Sequence, residues 1–176
     1  MIKYQNEVNK IFISYHSGIY TLEVEQLIPT SIFRAWDFFS SPGNLSEITP
    51  PEMNFTITSG NTEKMYAGQI ISYVVNLSKG IKTNWVTEIT AVKENSYFID
   101  EQRFGPYKMW HHEHHFQEND EGILMKDKVS YKIPFGFLGR LIHFFVIRRK
   151  LVNIFLYRMK ILEKIFSVQN KKESFS

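Results

Sequence analysis

Between residues 97 and 131 apolar and polar side chains alternate with a period of two, which predicts three consecutive antiparallel strands. In the middle strand Trp110, His112, His114 and Phe116 fall on one face, and His111, Glu113, His115 and Gln117 on the other. Successive side chains point to opposite sides of a strand, so the face with Trp and Phe turns inward and takes two histidines with it. The same period marks strands at Tyr20–Leu27, Asn54–Ser59, Tyr66–Leu77 and Lys82–Val92, and a last one at Ile123–Ile133. Gly80, Asn95, Gly105-Pro106 and Asn119–Gly122 supply the turns. Helical spacing appears first at Ile32, Phe33, Trp36 and Phe39, with Thr30 or Ser31 as the cap and Pro42-Gly43 as the stop. Leu45–Ile48 suits a short second helix, closed by Pro50-Pro51. From Phe137 to Phe166 no proline intervenes. There Leu138, Leu141, Ile142, Phe145, Val152, Leu156 and Met159 form one stripe, predicting a long helix buried along it.

The order is thus one strand, two short helices, a run of about six antiparallel strands and a long C-terminal helix, an α+β arrangement of about seven strands. A curved sheet around that helix buries the stripe and leaves room for a cavity between the two. Residues 19–168 form one domain in this reading. Residues 1–18, whose only apolar patch is Ile11-Phe12-Ile13, are expected as an N-terminal extension, and residues 169–176 as a polar tail.

Composition changes the picture in three ways. With 15 Phe, 9 Tyr and 3 Trp among 176 residues, the chain has more rings than a small core needs, which suits a lined cavity. Cysteine is absent, so disulfides, thiolate nucleophiles and cysteine metal sites are excluded. A net charge of +3 is too small to imply nucleic-acid binding. The N-terminus lacks the apolar core of a signal peptide, and no run of apolar residues is long enough to span a bilayer, so a soluble, cytoplasmic protein is expected.

The element order resembles that of the START-like or SRPBCC superfamily of helix-grip proteins, in particular its bacterial ligand-binding, polyketide-cyclase-like branch. The resemblance spans about residues 19–166. It rests on Trp36-Asp37-Phe38-Phe39-Ser40-Ser41-Pro42-Gly43-Asn44-Leu45 and Ile48-Thr49-Pro50-Pro51. Trp85, Asp100-Glu101-Gln102, Gly105-Pro106-Tyr107 and Trp110-His111-His112-Glu113-His114-His115-Phe116 carry it further, and Asp127, Tyr131 and Pro134-Phe135-Gly136 complete it. It implies a helix-grip fold and an elongated pocket for a hydrophobic or amphipathic, lipid- or polyketide-like small molecule. No cofactor is implied. Some members carry a cell-division label, which would suggest an interaction protein with no small ligand; no residue of this chain supports that independently.

Strand alternation collects the candidate ligand-binding residues Tyr73, Trp85, Phe98, Asp100, Gln102, Trp110, His112, His114, Phe116, Asp127 and Tyr131. A four-residue turn at Asn119–Gly122 would set His114 opposite Asp127 and Trp110 opposite Tyr131. Register across Gly105-Pro106 leaves Asp100 beside either His112 or His114. Either way an Asp–His–Asp ladder spans three strands, with neighbours about 5 Å apart. The ladder reads as a core network fixing register, as the polar end of a ligand pocket, or as a catalytic cluster. In the last case His112 or His114 is a general base oriented by Asp127 or Asp100, with Tyr131 steadying an enolate, as cyclisation or dehydration would need. Metal binding is not expected: His-His-Glu-His-His on a strand is not the helical His-Glu-x-x-His motif, and His111 and His115 face outward. On the last helix Arg140, Arg148-Arg149-Lys150, Arg158, Lys160 and Lys164 read as a solvated basic edge. The surplus of apolar residues beside them admits two sharper readings, a homodimer contact or a transient membrane contact.

Overall fold

A computed structural model of the chain describes residues 3–5, 9–60, 63–78 and 80–173. Among the described residues nine strands form a single antiparallel sheet in the order β1-β2-β3-β9-β8-β7-β6-β5-β4. They are β1 Lys3–Gln5, β2 Lys10–His16, β3 Ile19–Ile28, β4 Thr56–Ser59, β5 Gln69–Ser78, β6 Ile81–Lys93, β7 Tyr97–Phe104, β8 Met109–Asn119 and β9 Gly122–Lys132. Between β3 and β4 lie helix α1, Ile32–Phe39, and two short 3-10 turns at Pro42–Ser46 and Pro51–Met53. After β9 come α2, Gly136–Ile142, a π turn at His143–Ile147, and α3, Arg148–Glu173. This is the helix-grip α+β architecture expected from the sequence, with two more strands. The histidine-bearing strand β8 is its central strand.

The extra strands come from the stretch expected as an extension. Ile11 and Ile13 pair with Val24 and Leu22 of β3, and all four are buried. They join Leu151, Val152, Phe155 and Met159 of α3 in one core cluster, so β2 widens the bed on which the helix lies. Residues 1, 2 and 6–8 of that stretch lie outside the described residues, as do 174–176 of the expected polar tail. The helix itself continues to Glu173, because nothing after Phe166 breaks it.

At the other end α1 is capped by the Ser31 side chain, which accepts from the Arg34 amide. Ile32, Trp36 and Phe39 of α1 pack with Phe98, Phe116, Ile123 and Met125 of the sheet and with Leu162 and Phe166 of α3. The buried face of α3 therefore runs Leu151, Val152, Phe155, Met159, Leu162, Phe166. Each such side chain contributes about 1.5–3 kcal/mol.

The predicted helical stripe needs correction. Val152 and Met159 are buried, but Leu138, Leu141, Ile142, Phe145 and Leu156 are exposed. The π turn at His143–Ile147 adds a residue to the helical repeat, so the face set by α2 and the face set by α3 fall out of phase. One stripe cannot run through both.

Candidate functional site

A cavity of about 640 Å³ lies between the inner face of the sheet and α3. Of the candidate residues, Tyr73, Trp85, Phe98, Asp100, Trp110, His112 and His114 line it. Gln102, Phe116, Asp127 and Tyr131 lie outside the wall. Gln102 is spent on the β7–β8 turn: its Nε2 donates to the Tyr107 carbonyl at 2.7 Å and its Oε1 accepts from the Tyr107 amide at 3.2 Å. Phe116 packs among Trp36, Phe39 and Phe98. Tyr131 is fully buried, and its hydroxyl meets His143 Nε2 at 2.8 Å. Asp127 stands behind the two histidines.

Those two histidines sit where the register places them. Asp100 on β7 faces His112 on β8, and His114 faces Asp127 on β9. Both strands are well paired, so the four side chains meet in a closed ring. His112 Nε2 donates to Asp127 at 3.1 Å, and His114 Nε2 to Asp100 at 3.0 Å. The remaining nitrogens complete the ring as close ion-pair contacts without hydrogen-bond alignment: His114 Nδ1 to Asp127 at 2.7 Å and His112 Nδ1 to Asp100 at 3.4 Å. The imidazoles lie against each other with centroids 3.7 Å apart, and His114 stacks on Phe98 at 4.0 Å.

The charges follow from this geometry. Burial alone would raise the pKa of Asp127, but the hydrogen bond from His112 and the close contact with His114 outweigh it and hold the carboxyl below its usual range. Asp100 behaves likewise, burial being overcome by the charge of His112 and the hydrogen bond from His114. His114 is also buried, yet its hydrogen bond to Asp100 and its contact with Asp127 raise it above an ordinary histidine. Burial and the neighbouring His114 charge lower His112. Within the ring His114 is the imidazole that favours the proton and His112 the one that disfavours it, against two carboxylates that favour their negative charge.

That charge has a counterpart. Arg158 of α3, expected on a solvated edge, is instead buried and lines the cavity. Its guanidinium lies 4.9 Å over the Phe155 ring, and its charge helps keep Asp100 ionised. Its Nε has no hydrogen-bond partner, and neither has Trp85 Nε1, a second buried donor on the cavity wall. The spacing Leu151, Phe155, Arg158, Leu162 places a cation on the apolar face of a helix, which is the signal that could have found it. Part of the wall is an aromatic cluster: Trp85 and Trp110 meet edge to face at 5.3 Å, Tyr107 is 4.8 Å from Trp110, and Tyr73 is 6.1 Å from Trp85. The Tyr73 hydroxyl is hydrogen-bonded to Thr87, and burial together with the Asp100 charge raises its pKa.

Asp100, His112 and His114 also offer ligand atoms within 4.8 Å of one another. A cation there would have to displace the carboxylate–imidazole contacts that occupy those atoms. On the outer face His111 meets Glu101 at 2.8 Å and His115 meets Glu113 at 3.0 Å, part of a charged surface away from the cavity. Among the described residues no helix is long and apolar enough to cross a membrane.

No protein-family model matches the chain, and no curated protein matches its sequence. Solved structures do match its fold. A Rhodobacter sphaeroides protein superposes with a TM-score of 0.66 at 14% identity, covering 90% of this chain and 98% of that one. Protein Ms6760 from Mycobacterium smegmatis gives 0.62 at 15% identity, over 90% and 99%. The major latex-like protein 151 of Panax ginseng gives 0.57 at 13% identity, over 85% and 99%. At these identities the likeness establishes the fold, that of the START-like helix-grip proteins, and no more.

Proposed function

We propose that this protein binds an elongated amphipathic small molecule in the cavity between sheet and α3, with its tail along the aromatic wall and an acceptor-bearing head at Arg158. The observation that carries this reading is a buried guanidinium whose Nε goes without a partner in a mainly apolar cavity of about 640 Å³. That volume suits a small-molecule ligand. A buried donor left unmatched costs about 1–3 kcal/mol, a burden that a ligand carboxylate or carbonyl would relieve.

The general-base reading has weaker support. Both nitrogens of His112 and both of His114 have a carboxylate oxygen within 3.4 Å, so each faces Asp100 or Asp127 rather than a substrate.

The test uses two fluorescent probes, a labelled long-chain fatty acid and the matching alcohol. The wild type is expected to bind both. Arg158→Met should weaken the acid by about tenfold or more, the worth of a charge-assisted hydrogen bond, and leave the alcohol nearly unchanged. The melting temperature should change little, since relief of the unmatched Nε offsets loss of the charge that faces Asp100. Failure of the wild type to bind either probe, or equal loss of both in the variant, would sink the proposal.

A further inference from the structure

The segment between β9 and α3 is apolar on the wrong side. Phe135, Phe137, Leu138, Phe144, Phe145 and Val146 are 56–77% exposed. The residues turned inward are Gly139 and His143, four apart on one face. Both are fixed. A Cβ at Gly139 would run into the Pro134 carbonyl oxygen. His143 is held by Tyr131 at 2.8 Å and stacked on Tyr20 at 3.6 Å. With one face anchored by a glycine and a histidine, the phenylalanines have no choice but to face outward. Phe135 does so at a φ of 68°, a left-handed conformation that bulky side chains avoid.

This face is also where the cavity opens. Among its lining residues the exposed ones are Ser78 and Ile81 at the β5–β6 turn and Phe135, Ile142 and Val146 opposite them. The mouth therefore sits within the apolar patch. Around it the charge is one-sided. From Pro134 to Asn153 the chain holds Arg140, Arg148, Arg149 and Lys150 and no Asp or Glu, and Arg140 and Arg149 are exposed beside the phenylalanines. Glu52, near Lys150, is an acid at the edge.

We infer that this face docks onto an anionic lipid bilayer, with the aromatic side chains entering the headgroup region and the cavity mouth facing the hydrocarbon. The charge selects this occupant over a second copy of the chain. A two-fold contact would set the patch against itself and bring its cations together, whereas anionic headgroups neutralise them. The inference rests on the proposed ligand reading only for its purpose: a water-insoluble molecule would pass between bilayer and cavity without crossing water.

Co-sedimentation with vesicles tests it, using phosphatidylcholine alone or mixed with phosphatidylglycerol. The variants are F144S/F145S and R140E/R149E, none of which lines the cavity. The wild type should bind the mixed vesicles, and weakly or not at all those of phosphatidylcholine. F144S/F145S should lower partitioning by about tenfold per phenylalanine. R140E/R149E should lower it by about thirtyfold, at roughly fivefold or more for each cation, with rising salt acting in the same direction. Folded wild type that ignores both vesicle types would overturn the inference, as would binding unaffected by either variant. So would a dimer in sedimentation equilibrium that F144S/F145S disperses while vesicle binding is absent. Probe binding by the same variants in vesicle-free solution should be unchanged. Vesicle binding with no probe binding would leave the docking surface standing and remove the ligand reading.

Discussion

Replacing Asp127 by Asn separates a structural role for the carboxylate–imidazole ring from a ligand-facing one. Asp127 has a side chain 4% exposed, lies outside the cavity wall, and holds both histidines, at 3.1 and 2.7 Å. Asparagine keeps the shape and one acceptor, so His112 retains its hydrogen bond, but the imidazolium of His114 loses a charge partner. Breaking a buried pair costs about 3–5 kcal/mol. The lower end applies here, about 3 kcal/mol, because Asp100 still lies 3.0 Å from His114 Nε2. For a chain of this length that corresponds to a fall of about 6–12 °C in melting temperature. Asp100, whose side chain is 16% exposed on the cavity wall, can be re-solvated by water in the cavity, so Asp100→Asn should cost about half as much. The pH profile gives a second readout. The folded pKa of His114 is raised, so its contribution is complete below the unfolded value of about 6.5 and fades as pH rises through the folded value. In Asp127→Asn that fading should be complete at lower pH. Denaturant melts of both variants at several pH values, with histidine ring titrations by NMR, supply the measurement. A loss under about 1 kcal/mol for Asp127→Asn, or an unmoved His114 titration, would refute the assignment of charge within the ring.

Other outcomes follow from single positions. Burial and the charge of Arg148 push His143 down to about 4, so the unfolded chain binds the extra proton as pH falls from about 6.5 towards 4. Stability should decline across that window, and His143→Gln, which can still accept from Tyr131, should flatten the decline in melts at stepped pH. Gly139→Ala places a methyl against the Pro134 carbonyl and should cost about 1–3 kcal/mol in denaturant melts, although alanine is the better helix former. Ile13→Ala should cost about 2–4 kcal/mol, measured the same way. A negligible loss there would mean that β2 adds nothing to the core under α3.

The sequence made the inner sheet legible because its constraint is local. Period-two alternation needs only one buried face, and Trp110, His112, His114 and Phe116 declare it within one strand. Turn length then fixed the register, so that His114 meets Asp127 as the Asn119–Gly122 turn requires. Residues 10–16 carried the same alternation in Ile11 and Ile13, but two buried positions beside polar neighbours are too short a signal without their partners on β3. The long helix misled for a different reason. Hydrophobic spacing assumes an unbroken α repeat, and the π turn at His143–Ile147 invalidates that assumption without any glycine or proline inside it. Arg158 was misplaced through its charge: an arginine is ordinarily exposed, and that expectation overrode the spacing that sets it on one helix face with Leu151, Phe155 and Leu162.

The ring of Asp100, His112, His114 and Asp127 and the lone Arg158 illustrate two ways of burying charge, and the difference bears on function. Within the ring every carboxylate meets two imidazoles, so its charges are paired without a ligand and it can hold three strands in register by itself. Arg158 gains only the Phe155 face and the distant field of Asp100, and its Nε has no partner. A fold that needed only stability would place an apolar side chain at Arg158, which lies on the buried helix face between Phe155 and Leu162. The negative charge of Asp100 offsets the guanidinium electrostatically without using its hydrogen-bond donors. An anionic head placed at Arg158 would shift that balance towards negative and favour protonation of the imidazole pair, where His112 Nδ1 lies 3.4 Å from Asp100. Binding of the fatty-acid probe should therefore draw in a proton while the alcohol does not, a difference read from calorimetric titrations in buffers of unlike ionisation enthalpy. Equal proton uptake for acid and alcohol would break the link between the ring and the ligand head.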